Sequence, residues 1–233
     1  LDGGVGADFM DGGSGNDVFR LDDVGDQVYG DNGYDTVRAS VDYDLSYYWG
    51  DVEALQLLEG GAAAFGGGNG LDNAITGNGN ANTLMGYEGN DSLRGNAGDD
   101  SLDGGYGDDT LRGDAGADTL LGGYGNDRLE GGLDNDTYRF GQGAGLDTVR
   151  DLGGSADVAT LGLLDEGYTV EKGQIAFYLD ASGTLQVDYG EFGANQDRFA
   201  VQGWNTQVGG VFTQRIESFV ANTLDGAFSL SAT

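Results

Sequence analysis

The sequence contains no cysteine, no proline and no histidine. Without cysteine the chain can form neither a disulfide nor a thiol centre, so its stability must come from another source. Without histidine it lacks the commonest general base and cannot build serine or cysteine triads or histidine-zinc hydrolase sites. We therefore predict that the chain is not an enzyme. A carboxylate pair acting on a glycosidic bond stays open as the catalytic alternative.

Positive charge and long apolar runs are also scarce. The chain has 10 basic residues against 40 acidic ones and a formal net charge of −30, which argues against nucleic acid or an anionic membrane as its partner. The only lysine, Lys172, lies outside the glycine-rich turns, so these turns are not a phosphate-binding loop. No run of about 18 apolar residues is present, and the first residues lack a charged-then-apolar pattern. We expect neither a membrane span nor a secretory leader in this sequence.

Glycine is abundant, with 47 residues, and its placement is periodic. Eight consecutive blocks of nine residues begin at Gly68 and run to Arg139, and most fit Gly-Gly-x-Gly-x-Asp-x-U-x, where U is apolar. Position six reads Asn73, Asn82, Asp91, Asp100, Asp109, Asp118, Asp127 and Asp136. Position eight reads Ile75, Leu84, Leu93, Leu102, Leu111, Leu120, Leu129 and Tyr138. A flexible glycine-rich linker does not place an apolar residue at every ninth position, so the pattern favours a folded repeat.

Each block divides into a turn and a short strand. Positions one to six are rich in glycine, which reaches positive φ at little cost. Positions seven to nine alternate polar, apolar, polar, as Thr110-Leu111-Arg112 does, which sends only the eighth side chain inward. If two blocks form one turn of a flattened parallel helix, strands pair at about 4.8 Å spacing. This register predicts two ladders of aspartates: Asp91, Asp109 and Asp127 on one edge, and Asp100, Asp118 and Asp136 on the other.

Stacked carboxylates predict a cation. Like charges a few ångström apart repel strongly in a partly dehydrated turn, and a divalent ion reverses the sign of that interaction. Carboxylates and backbone carbonyls are hard oxygen donors, which suit calcium and not zinc or copper. We therefore expect several calcium ions as cofactors, and we expect binding and folding to be one event.

A shorter array opens the chain. Its blocks begin at Gly3, Gly12, Leu21 and Gly30, and they carry Asp8, Asp17, Asp26 and Asp35 at position six. The third block has Leu21 and Val24 in place of turn glycines, so we expect weak or absent binding at Asp26. In the main array the neutral Asn73 and Asn82 suggest weaker or differently filled sites. Because Leu1-Asp2 reads as positions eight and nine of a preceding block, we expect the chain to be a fragment of a longer protein.

The remaining segments do not follow the nonapeptide. Residues 39–67 alternate like strands around Tyr47-Tyr48-Trp49, an aromatic cluster that either packs on a neighbouring coil or stacks on sugars. After Arg139 a looser glycine turn leads to Asp147, a further candidate ligand. Beyond it, the alternation in 175–189 predicts a β-hairpin, and 199–204 and 215–220 predict further strands. A stack of coils ends in a strand edge without a pairing partner, which must be covered, and we expect this C-terminal segment to cover it.

The sequence thus predicts an all-β fold, a parallel β-roll with a C-terminal antiparallel β capping region. We predict that the chain divides into four regions: a short array in 1–38, a strand-rich insert in 39–67, the main roll in 68–149 and the capping region in 150–233.

With these motifs the chain resembles the RTX (repeats-in-toxin) family of hemolysin-type calcium-binding repeats. The stretch from Gly131 to Val220 resembles the last repeat block and flanking region of adenylate cyclase toxins and large RTX adhesins. The resemblance implies type I secretion of an unfolded chain and folding in extracellular calcium. It also implies that the position-six carboxylates bind calcium together with turn carbonyls, which include those of position four: Gly89, Gly98, Gly107, Gly116 and Gly125.

We therefore expect an extracellular or cell-surface calcium-binding module that stabilises a larger toxin, adhesin or enzyme and promotes its export. The expected partners are calcium ions and the type I secretion apparatus. The first alternative is a calcium-dependent adhesive module that binds a cell-surface glycan or receptor. The second is a module attached to a secreted enzyme, which a catalytic domain preceding Leu1 would favour.

Overall fold

The computed structural model describes residues 1–47, 51–140, 145–150 and 157–161, and strands between 176 and 231. Beyond residue 159 the description covers strand backbones. A 3-10 turn spans Leu45–Tyr47, and no helix in the described ranges is long and apolar enough to cross a membrane. The strands are β1 Phe9–Asp11, β2 Val18–Leu21, β3 Gln27–Tyr29, β4 Thr36–Ala39, β5 Tyr43–Asp44, β6 Ala54–Leu57, β7 Phe65–Gly67, β8 Ala74–Thr76, β9 Thr83–Glu88, β10 Ser92–Ala97, β11 Ser101–Tyr106, β12 Thr110–Ala115, β13 Thr119–Tyr124, β14 Arg128–Leu133, β15 Thr137–Phe140, β16 Leu146–Arg150, β17 Val158–Leu161, β18 Ala176–Leu179, β19 Leu185–Tyr189, β20 Asp197–Val201, β21 Gln207–Val208, β22 Val211–Phe212, β23 Ser218–Thr223 and β24 Gly226–Ser231.

Successive strands alternate between two parallel sheets. Even-numbered strands from β2 to β16 form one sheet, and odd-numbered strands from β5 to β17 form the other. Pairing joins residues 18 apart in the main array: Leu93 lies beside Leu111, and Leu102 beside Leu120. Two blocks therefore make one coil, and the predicted parallel β-roll, here a solenoid of about eight turns, is confirmed.

The strands are longer than the three residues predicted. In the main array β9 to β14 each span six residues, positions seven to nine of one block and one to three of the next. The turn is thereby reduced to positions four to six. The sequence pattern missed this because glycine at positions one and two is a weak strand former, whereas pairing with the coils above and below holds it extended.

The core is a stack of position-eight side chains. Every one of them from Ile75 to Tyr138 is at most 1% exposed. In the N-terminal array Met10, Phe19, Val28 and Val37 are likewise buried. The prediction that the eighth side chain of each block points inward is confirmed, and a few residues at other positions, such as Leu21 at position one of the third block and Phe140 after the last block, join the same core. Since each of the strands β8 to β14 buries a single large apolar side chain, the turns are left with a large role in holding these coils together.

The strands of the insert 39–67, namely β5, β6 and β7, belong to the same two sheets as the repeats. The strand β6 pairs with β4 and β8, and β5 pairs with β7, which pairs with β9. At the other end β17 continues the parallel roll through its pairing with β15.

After β17 the strand pairing becomes largely antiparallel. The strand β18 pairs antiparallel with β19, and β19 with β20, while β20 lies parallel to β16. The strand β23 lies parallel to β17 and antiparallel to β24. The predicted stretch 215–217 and Trp204 lie outside the described residues, and the capping role of this region stays a prediction.

Candidate metal centre

The position-six side chains form two columns, one along each edge of the roll. On one edge the backbone N–H of Asp91 donates to Oδ1 of Asp109 at 2.7 Å, and Asp109 donates in the same way to Asp127 at 2.9 Å. On the other edge Asp100 donates to Asp118, and Asp118 to Asp136. The two ladders predicted from the register are present. One oxygen of each acceptor carboxylate thus holds the coil below it in place.

The second carboxylate oxygen has a different environment. The Oδ2 atoms of several position-six aspartates are buried and accept no hydrogen bond, namely those of Asp8, Asp17, Asp35, Asp91, Asp100, Asp109 and Asp118. A buried carboxylate oxygen without a donor is costly. The structure therefore repeats, along both edges, an acceptor that still needs a positive partner.

Backbone carbonyls converge on this oxygen in front of the position-one glycine. A Cβ on Gly86 would lie 2.2 Å from Asp91 Oδ2 and 2.4 Å from the carbonyl oxygen of Gly104, one coil further on. A Cβ on Gly104 would meet Asp109 Oδ2 at 2.3 Å and the Gly122 carbonyl at 2.4 Å. The small space beside each of these glycines is therefore lined by oxygen atoms of two coils. Only glycine leaves it open.

Electrostatics agrees with this geometry. Burial raises the pKa of Asp109 to about 7, a shift partly offset by the hydrogen bond from Asp91 N–H and increased by the charges of Asp127 and Asp91. Burial also raises the pKa of Asp100 to about 7 and that of Asp118 to about 6. The ionised ladder is thus unfavourable in the protein alone, and a cation beside Oδ2 would stabilise it.

The donor set fits calcium. Carboxylate and carbonyl oxygens are its preferred ligands, and no nitrogen or sulfur donor is needed. In the part of the chain that the structure describes, no three acidic side chains come together in a metal-binding group. An ion would therefore be held by single carboxylates, such as Asp91 and Asp109, together with glycine carbonyls of adjacent coils.

The position-four glycines lie in the same turns. All five predicted residues have positive φ, from 113° at Gly89 to 139° at Gly125. Their carbonyls stack from coil to coil, since a Cβ on Gly107 would lie 1.9 Å from the Gly89 carbonyl oxygen. Asp134, which replaces glycine at this position in the last block, keeps positive φ at 74°. Their role as calcium ligands stays a prediction.

Other predicted ligands differ in their contacts. Oδ1 of Asp147 accepts the backbone N–H of Asp127, which places Asp147 in the first column. Asp26, Asn73 and Asn82 occupy column positions, but the side-chain oxygens that face their own turns accept backbone N–H groups. These three positions therefore offer less to a cation than Asp109 does.

Sequence reasoning missed some members of the columns. Glu53 Oε2 accepts the N–H of Asp35 at 2.7 Å, and Asp157 Oδ1 accepts that of Asp136 at 2.9 Å. The register places Ala159, two residues after Asp157, beside the position-eight residue Tyr138, but Val158 is apolar as well, so the sequence around Asp157 lacks the polar-apolar-polar order that marked the other blocks. The position-one carbonyls were also missed, although the glycine that begins all eight main blocks was a sequence signal for a close contact.

The aromatic cluster of the insert is described only at Tyr47. Its side chain is 76% exposed, beside a small cavity lined by Asp42, Asp44 and Phe65. Tyr48 and Trp49 lie outside the described residues, so the choice between packing and sugar stacking stays open.

Comparison with known protein families gives a result that agrees with this site. The model of the RTX calcium-binding nonapeptide repeat matches four times, at residues 2–37, 66–102, 76–111 and 103–138. No curated protein matches the chain significantly. The matched stretches contain both arrays and nearly all position-six aspartates described above. The chain belongs to the RTX, hemolysin-type family, and its repeats form a calcium-binding β-roll.

Proposed function

We propose that this chain is a calcium-triggered folding module of a larger secreted protein, a toxin, an adhesin or an enzyme. In the cytosol the calcium concentration is too low for the aspartate columns to form, so the chain stays unfolded. It leaves the cell in this state through a type I secretion apparatus. Outside the cell, calcium binds the turns and the roll forms, which stabilises the attached protein and favours export. The observation that carries this proposal is the row of buried Oδ2 atoms without a donor, each facing the turn of its own block.

Secretion from cells tests the proposal. The chain is fused to a reporter and expressed with a type I secretion apparatus, and the folded reporter is measured outside the cell. A variant with Asp91, Asp109 and Asp127 changed to Asn should leave much less folded reporter outside in millimolar calcium. Asp72, Asp99 and Asp108 changed to Asn is the matched control, because it removes the same charge at position five of neighbouring turns. Equal export of folded reporter by both variants would contradict the proposal.

The strands after Leu161 act as the cap of the roll. Its last coil consists of β16 and β17, and the backbones of β20 and β23 pair with those strands, which supports the cap because an array of coils needs a covered end. Deletion of residues 162–233 should therefore raise the calcium concentration needed for folding, measured by circular dichroism. An unchanged calcium midpoint would show that the segment is a passenger. Trp204→Ala, a change outside the described residues, should weaken the calcium response in the same direction.

A calcium-dependent adhesive or glycan-binding module is the second candidate, favoured by aromatic side chains exposed on one sheet. Tyr106 and Tyr124 stack with ring centroids 4.9 Å apart and remain 59% and 52% exposed. Exposed aromatic patches of this kind are unusual without a partner. Glycan-array binding in calcium that is lost in chelator and in Tyr106→Ala/Tyr124→Ala would support it, and no binding in calcium would exclude it.

The module itself carries no catalytic role in this proposal. The absence of histidine and cysteine from the sequence supports this view, because the commonest acid-base and nucleophilic groups are missing. Screening the purified chain against glycoside, ester and peptide substrates tests it. A turnover abolished by a point substitution outside the repeats would refute it.

A further inference from the structure

Three position-six residues predicted as calcium ligands lie in turns of a different shape. They are Asp26, Asn73 and Asn82, in the blocks that begin at residues 21, 68 and 77. In these blocks neither position two nor position four has positive φ, whereas both positions do in every block from Gly86 to Gly131. Position four is Val24, Leu71 or Asn80 in the three unusual blocks; valine and leucine rarely adopt positive φ, whereas the identity of Asn80 does not by itself account for its turn.

The shape of the turn decides which backbone atom faces the position-six side chain. Asn69 donates its backbone N–H to Oδ1 of Asn73 at 2.7 Å, and Asn78 donates to Oδ1 of Asn82 at 2.8 Å. In the blocks of Asn73 and Asn82 the position-six oxygen that faces the turn therefore accepts the N–H of position two. In other blocks the corresponding Oδ2 atom, that of Asp109 for example, accepts no hydrogen bond.

Asp26 carries a carboxylate at position six, yet its Oδ2 atom is not left without a donor as that of Asp109 is. Its Oδ2 accepts the backbone N–H groups of Asp22 and Asp23, both at 3.2 Å, and its Oδ1 accepts that of Asp8 at 3.0 Å. Three N–H donors therefore surround this buried carboxylate. Such hydrogen bonds stabilise its negative charge without a metal.

In the blocks of Asn73 and Asn82, side-chain NH2 groups also donate hydrogen bonds to carbonyl oxygens. Nδ2 of Asn73 donates to the Val52 carbonyl at 3.1 Å, and Nδ2 of Asn78 donates to that of Ala63 at 3.0 Å. Nδ2 of Asn82 donates to Oδ1 of Asn78 at 3.2 Å. An NH2 group carries only donors, so it occupies these acceptors and presents hydrogens where a cation needs lone pairs.

We infer that Asp26, Asn73 and Asn82 do not bind calcium and that protein hydrogen bonds close their blocks instead. The inference rests on the calcium binding proposed for the other blocks. The calcium ions are consequently held in two separate arrays, one with Asp8, Asp17 and Asp35, and one from Asp91 onward. Between them lies a junction, the blocks that begin at Gly68 and Gly77, whose turns are closed by hydrogen bonds to Asn73 and Asn82.

The test compares Asp26→Asn with Asp35→Asn in the full chain. Both residues are buried at position six of the same array, at 1% and 0% exposure, and both lose the same charge. Bound calcium per chain is measured at saturation by equilibrium dialysis, and thermal stability is followed in parallel. Asp35→Asn should bind fewer ions than the unmodified chain. Asp26→Asn should keep the full number while its melting temperature falls, because an amide NH2 cannot accept the N–H groups of Asp22 and Asp23.

If both variants bind fewer calcium ions by the same number, Asp26 is a ligand and the inference is overturned, whereas the proposal that the roll binds calcium is unaffected. Unchanged calcium binding in both variants and in Asp109→Asn would refute the proposed function itself. If Asp26→Asn does not fold, Asn82→Ala decides the matter in the same assay. It should retain the full number of ions at lower stability, and a reduced number would overturn the inference.

Discussion

Replacing Asp109 by asparagine separates the two roles of a position-six carboxylate. An asparagine Oδ1 can still accept the N–H of Asp91, which Asp109 accepts at 2.7 Å, so the ladder hydrogen bond is retained. The buried Oδ2, which accepts no hydrogen bond, becomes an NH2 group. The substitution therefore removes one ligand and one charge while the contact between coils persists.

The expected effect has opposite signs with and without calcium. At calcium 100-fold above its dissociation constant, one site contributes about 2.7 kcal/mol. Its loss should lower the melting temperature by roughly 5–10 °C for a chain of this size and raise the calcium midpoint of folding. In chelator at pH 8 the variant should form β-structure slightly more readily than the unmodified chain, because it lacks a carboxylate whose pKa burial raises to about 7.

The assay is circular dichroism during calcium titration and thermal melting, with Asp108→Asn as the matched control. Asp108 is the adjacent residue and is exposed, and its Oδ1 accepts the N–H of Asn126 at 2.7 Å. Asn90 occupies the equivalent place one coil earlier, so asparagine is tolerated there. The control should change the calcium midpoint little. A midpoint shifted equally by both variants, or an Asp109→Asn chain destabilised in chelator, would refute the reasoning.

Three further predictions address protons, space and packing. The pKa values of Asp100 and Asp109 in the folded, metal-free roll are about 7, against 3.8 in the unfolded chain, so these two groups contribute stability that is fully present below pH 3.8 and is lost as pH rises through 7. Protons compete with calcium, so the calcium midpoint in titrations should rise from pH 8 to pH 5, and a constant midpoint would contradict this. Gly104→Ala should raise the calcium midpoint strongly, because its Cβ would lie 2.3 Å from Asp109 Oδ2, whereas Gly70→Ala, with no atom within 4 Å, should not; equal calcium midpoints would refute the crowding argument. Leu111→Ala should lower the free energy of unfolding in calcium by about 2–5 kcal/mol, measured by urea denaturation, and a loss below about 1 kcal/mol would argue against a core built on position eight.

The nine-residue period was sufficient to predict the roll and its register. Leu111 had to point inward because its neighbours Thr110 and Arg112 are polar, and a spacing of two blocks put Asp91 and Asp109 on one edge. The insert was harder to place. Residues 39–67 lack the period, so their membership of the same sheets depends on pairing of β6 with both neighbouring coils, which local sequence does not encode.

The chemistry of individual sites was only partly predictable. The sequence distinguished Asp26 through Val24, a β-branched side chain at position four, which has positive φ in every block from Gly86 to Gly131. It did not reveal that the N–H of Asn69 faces Asn73 Oδ1, because the orientation of a peptide plane depends on the whole turn. Asp157 was missed for a different reason: it follows Asp136 by 21 residues and not by the 18 that separate Asp118 from Asp136, although the sheet register brings the two together.

Far-UV circular dichroism of the full chain at pH 8, recorded in chelator and during addition of calcium, tests the central claim most directly. The account predicts a largely disordered chain in chelator and a cooperative gain of parallel β-structure at millimolar calcium, because the ionised carboxylate columns are then neutralised by bound ions. A chain that is compact and has the same β-sheet spectrum in chelator as in calcium would contradict it.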